Sequence, residues 1–129
     1  MKANEFRVTN FVDYNGEMFP IIFIGLDSVV LIRKDQSTST VKLDRIKPIS
    51  ITDKILLSCG FKKRKSCFGY WIYEIMFQHT VFSVEEVDLG LCYFYIGNTH
   101  VTQTRYVHEL QNLYFSITGE ELVFSSTEP

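Results

Sequence analysis

Asn15-Gly16 lies between two β-patterned runs and leaves the chain few ways to continue. A two-residue type I′ hairpin turn needs positive φ at both central positions, which Asn and Gly tolerate. The turn joins a strand ending Phe11-Val12-Asp13-Tyr14 to one around Ile21-Ile22-Phe23-Ile24. Pro20 has no amide to give a ladder, so it is expected at an edge or a bulge. "VVLIRK" reads as a third strand, "DQSTS" as a polar loop, and "TVKLDRI" as a fourth strand with Val41 and Leu43 on one face. Short strands at this spacing predict a curled sheet or a small SH3-like β-barrel over residues 1–50.

Pro48 disfavours helical geometry at the residue before it, making "KPISIT" an extended connector. Thr52 is placed to cap a short helix through "DKILLSCG", with Asp53 in the first turn and Gly60 as the stop. Ile55, Leu56 and Cys59 share its apolar face. Beyond it, antiparallel strands are expected over Tyr70 to Phe77, Val81 to Val87 and Leu91 to Ile96, with a short return near His100 to Thr102. Gly97-Asn98 suits a tight turn, and a last short strand is read in "ELVF".

"YVHELQNLYFSITG" is the clearest helix. At 100° per residue, Val107, Leu110, Leu113, Tyr114 and Ile117 form one apolar stripe, suited to packing on a sheet. Thr104 is the expected N-cap and Gly119 the C-terminal stop. His108, Gln111 and Phe115 fall on the opposite side, where Phe115 marks a second layer or a contact with another chain. The expected architecture is α+β: an N-terminal β lobe over 1–50, then an α+β lobe over 51–129, as two lobes or one continuous domain.

Composition restricts function more than it reveals it. A net charge of −2 gives no global field toward nucleic acid or anionic lipid. No apolar run approaches the ~20 residues needed to span a bilayer, and the opening "MKANEFRVTNFVDYNG", with one early Lys and no long apolar stretch, is not expected to act as a signal peptide. Cys59, Cys67 and Cys92 make an odd count without a CxxC, which fits reduced thiols in the cytoplasm.

The run Lys62-Lys63-Arg64-Lys65 beside Tyr70 and Trp71 is the one candidate nucleic-acid contact, pairing cations for phosphate with rings for base stacking. Its bland counterpart is a solvated charge run screened by salt. Glu85 and Glu86 point to opposite faces of a regular strand and cannot share one site; with Asp88 they read as a charged strand end. The cysteines lack zinc-ligand spacing, and His79, His100 and His108 form no HxxxH pair. GxxxxGK[ST], GxGxxG, GxSxG and HExxH are all missing. No catalytic, cofactor or metal residue is assigned.

"ANEFRVTNFVDYNG", "KPISITDKILLSCGFKK" and "YVHELQNLYFSITGEEL" together resemble a family of small uncharacterised proteins from gut-type Bacteroidetes, their phages and mobile elements. Its pattern runs N-x-[LF]-R-[IV]-G-N-x-V, I-x-P-I-x-L-T, L-x-x-[LC]-G-F and V-H-x-L-Q-N-L-Y-[FY]-x-[LI]-T-G-E-E-L. Phe6, Arg7, Asn10, Val12, Pro48, Thr52, Leu57, Gly60, Phe61 and the last helix match it. Thr9 replaces the Gly of the first motif, which argues against a positive-φ turn there. The resemblance implies a cytoplasmic bacterial or phage setting and transfers no activity. The reading is therefore a non-enzymatic interaction or accessory protein, binding a protein partner or itself, with nucleic-acid binding as the alternative.

Overall fold

The computed structural model describes residues 5–88 and 90–124. Among the described residues, two antiparallel sheets and two α-helices make the chain α+β. The described residues divide into two compact units: one runs to Ile49 and includes Tyr106–Asn112, the other holds Ser50–Arg105 and the chain from Leu113. The boundary near residue 50 is where Pro48 ends the first sheet's segment, but the last helix contributes to both units rather than to the second alone.

In the first unit, β1 (Phe11–Tyr14), β2 (Glu17–Ile24), β3 (Ser28–Ile32) and β4 (Thr38–Lys42) pair in sequential order. Asn15 and Gly16 take φ of 55° and 85°, the geometry their turn requires. Pro20 faces Phe11 one residue before the β2–β3 ladder begins, next to an irregularity between Ile21 and Phe23. Its missing amide thus costs that ladder nothing. β4 starts earlier than expected and stops at Lys42, where Leu43–Arg45 turn as a 3-10 helix. Leu43 still packs on the core, from the turn rather than from a strand. The sheet does not close into a barrel among the described residues; one bridge joins Asp13 to Lys47 through two 2.9 Å backbone hydrogen bonds. Phe6, Val12, Ile21, Val29, Leu31, Val41 and Ile46 form its apolar core. Each fully buried side chain of this kind stabilises by about 1.5–3 kcal/mol.

The second unit opens with α1 (Asp53–Ser58). Thr52 Oγ1 accepts the Ile55 amide at 3.2 Å, and Gly60 at φ 94° ends the helix as read. A five-stranded meander follows: β5 (Lys62–Lys65), β6 (Trp71–Phe77), β7 (Thr80–Asp88), β8 (Leu91–Ile96) and β9 (Thr99–Thr104). The basic run is therefore itself an edge strand, a place where charge discourages further pairing. Tyr73, Val84 and Phe94 fill one face, with the ring centres of Phe82 and Tyr114 5.8 Å apart. The segment Glu121–Phe124 is not a strand; Leu122 is buried there by its side chain without a backbone ladder.

Helix α2 spans Val107–Thr118. Thr104 is not its cap: it ends β9, and the Tyr106 amide instead donates to Glu109 Oε1 at 3.0 Å, half of a capping box. Gly119 closes the helix at φ 76°. Val107, Leu110 and Tyr114 are buried as expected, but Ile117 is 39% exposed. The buried arc is rotated toward His108 and Gln111, which are themselves enclosed.

Candidate functional site

The strand alternation of β5 separates the four cations of the basic run. Lys63 and Lys65 stand opposite Tyr73 and Trp71, while Lys62 and Arg64 stand opposite Glu74 and Ile72 on the other face. Two of them are already engaged. Lys63 Nζ lies 2.6 Å from Asp53 and 4.2 Å from the Trp71 ring centre; Arg64 forks onto Glu74 at 2.9 and 3.3 Å. The Lys63 ammonium and the Tyr73 hydroxyl hold the Asp53 carboxyl below the usual carboxylate range. Lys65 sits 5.3 Å from the Trp71 ring centre. Tyr70 stacks on exposed Phe68 at 6.3 Å in the turn after β5. The residues singled out for nucleic acid are thus near one another without forming one cationic track.

Of the interface residues expected around Phe115, two are enclosed and one is exposed. His108 and Gln111 are 4% and 1% exposed, so neither is a rim available to a second chain; Phe115, at 38%, is the exposed member of the three. Gln111 is internal because the backbone of residues 9–11 needs partners. The Phe11 amide donates to Gln111 Oε1 at 2.9 Å, and Gln111 Nε2 donates to the Thr9 carbonyl at 3.2 Å. Asn112 Oδ1 accepts from Asn10 Nδ2 at 2.8 Å and from Arg7 Nε at 3.0 Å. Thr9 takes φ 83°, so the positive-φ turn forms despite the β-branched residue. Arg7, Asn10, Gln111 and Asn112 together fix the entry to β1. His108 packs its ring 4.7 Å from Phe6, its Nδ1 finds no hydrogen-bond partner among the described residues, and burial lowers its pKa from the ordinary histidine value.

The face of the five-stranded sheet opposite its core is where polar and aromatic groups converge. The ladder registers lay out two rows across it. Lys62, Glu74, Ser83, Tyr95 and His100 form one; Arg64, Ile72, Glu85, Tyr93 and Gln103 form the other. An open groove of about 430 Å³ runs over this face, lined by Arg64, Ile72, Glu74, Ser83, Glu85 and Tyr95, with Gly97 and Asn98 at one end. Its volume falls in the range of roughly 300–1,000 Å³ common to ligand sites. The His100 ring lies 4.9 Å from Tyr93 and 5.4 Å from Tyr95. Burial, then the Glu85 charge and the nearby Tyr70 and Tyr93, push the Tyr95 hydroxyl pKa up.

Sequence reading assigned none of these groove residues except Arg64. Glu85 read as part of a charged strand end, whereas it is paired on both sides, to Ile72 and Tyr93. The available signal was the alternation of Ser83-Glu85 and Tyr93-Tyr95 along consecutive strands, which places all four on one face once the strands are in register. Glu86 points to the opposite side, across from Cys92. The Cys92 thiol is buried and pushed up to about 11, chiefly by desolvation. Among the described residues no three His, Cys, Asp or Glu side chains gather as a metal site.

Fold and site together define an α+β protein with a polar-aromatic groove on one face of its five-stranded sheet. Comparison with protein-family models, curated proteins and solved structures returns no match. No helix among the described residues is long and apolar enough to cross a membrane.

Proposed function

We propose that this chain is a non-enzymatic interaction module that binds a protein partner through the outer face of its five-stranded sheet. The observation that carries the reading is the groove itself, which sets Arg64, Glu74 and Glu85 beside the Tyr95 ring on one face of the sheet. A concave surface on which a few polar groups converge is the default place to look for a binding site. The Arg64–Glu74 pair and the Glu85 carboxylate favour a partner with positive charge over a polyphosphate. The resemblance to proteins of Bacteroidetes, phages and mobile elements supports an accessory role in a bacterial cytoplasm. The N-terminal unit we read as an open relative of an SH3-like barrel, because a 3-10 turn is followed by the Asp13–Lys47 bridge.

Nucleic-acid binding remains a second reading because Lys65, Tyr70 and Trp71 are exposed and adjacent. Fluorescence anisotropy separates the two. A labelled peptide containing Lys and Arg should bind, more weakly at high salt, while a single-stranded thymidine oligonucleotide should not. Oligonucleotide binding that weakens steeply with salt, with no peptide binding, would replace the first reading by the second.

A further inference from the structure

We infer that the outer sheet face holds a seat for one cationic head group, the ammonium or guanidinium of a Lys or Arg side chain on the partner protein, with Glu85 as its counter-charge and Tyr95, Tyr93 and His100 as its aromatic wall. The inference rests on the proposed binding role of that face and specifies what is recognised there.

Charge comes first. Among the residues lining the groove, Arg64 is matched by Glu74 through two hydrogen bonds, and Glu85 is left as the unmatched charge. A half-buried carboxylate without a cation has lost part of its hydration and recovers it best by pairing with a cation that arrives with a partner.

Ring placement comes second. Glu85 stands directly across the ladder from Tyr93, and Ser83, two residues before it on the same strand, stands across from Tyr95. His100 closes the far side, within 4.9 and 5.4 Å of those two rings. Aromatic faces beside a carboxylate attract a cation by their quadrupoles while the carboxylate supplies the net charge. Ser83 is small and buried, so the floor between Glu74 and Tyr95 is low and a side-chain stem can lie over it.

Other ligands fit less well. Phosphate would meet Glu74 and Glu85, and a divalent ion would find one free carboxylate where it needs several oxygens. The groove exceeds the size of a single head group, which suits a side chain carried on an extended peptide segment.

The test is a titration of the whole ¹⁵N-labelled protein with Nα-acetyl-arginine methylamide, the lysine analogue and the neutral norleucine analogue, followed by amide shifts. Arginine and lysine derivatives should shift Glu85, Tyr93, Tyr95 and His100 in a saturable way, norleucine should not, and Glu85→Gln should weaken binding about tenfold or more. A Lys/Arg-containing peptide should then bind more tightly than the free amino-acid derivatives. If Glu85→Gln, folded by its spectrum, binds as the parent does with shifts still on this face, the seat is wrong while the face remains the binding surface. If cation-dependent shifts fall elsewhere, both the seat and the face fail. If no probe shifts any resonance, the seat fails.

Discussion

Replacing Gln111 by Leu keeps most of the side-chain volume and removes both hydrogen bonds to the turn before β1. The Phe11 amide and the Thr9 carbonyl then lose partners at 2.9 and 3.2 Å. Gln111 itself is fully enclosed, so water reaches the site poorly. An unsatisfied buried backbone group costs about 1–3 kcal/mol. Both bonds are partly rather than fully buried, which puts the sum at the lower end, about 2–4 kcal/mol. That is a large share of the roughly 5–15 kcal/mol that holds a typical domain folded. Urea unfolding followed by far-UV circular dichroism should show a lower midpoint with little change in slope. Hydrogen exchange at the Phe11 amide should accelerate in parallel. A loss below about 0.5 kcal/mol, within the range of ordinary surface substitutions, would refute the assignment of Gln111 as the clamp of this turn.

Thr9→Gly removes a β-branched side chain from φ 83° and should raise stability by about 1 kcal/mol, read as a higher urea midpoint; a decrease would contradict the strain. Thr104→Val removes a buried hydroxyl that has no hydrogen-bond partner among the described residues, so thermal unfolding should shift upward by about 1 kcal/mol equivalent, and a clear loss would show that the hydroxyl is satisfied. His108 is kept neutral by burial, which outweighs the opposing pull of Glu109 and Glu5. Because the folded pKa lies below the unfolded value near 6.5, the unfolded chain takes up the proton first. Stability should be full above that value and decline as pH falls through it toward the folded pKa, and His108→Leu should flatten that decline; an equal decline in the variant would assign it to other groups.

The parts of the fold carried by local chemistry were legible in the sequence. Asn15-Gly16 specifies its turn, Thr52 and Gly60 bracket α1, and Gly119 ends α2, because each acts through its own backbone or one neighbour. What was not legible depends on distant chain. Gln111 and His108 are polar by composition, yet residues about a hundred positions earlier in sequence give them a buried role. Periodicity alone therefore placed the stripe of α2 too far toward Ile117. Thr9 kept the turn that its side chain disfavours because Asn10, Asn112 and Gln111 hold it from three directions. The groove was illegible for a related reason: its rows join residues of five strands, and which residues align depends on register. Lys62 to Lys65, prominent as a sequence run, is divided between two faces by the same rule.

Where a charged peptide touches the folded protein decides whether the outer sheet face is the working surface. In amide spectra of the full chain titrated with a Lys/Arg-containing peptide, shifts should be confined to Arg64, Ile72, Ser83, Glu85, Tyr93, Tyr95 and His100. Shifts gathered instead at Lys65, Tyr70 and Trp71, or around Phe115, would show that the protein works through another surface.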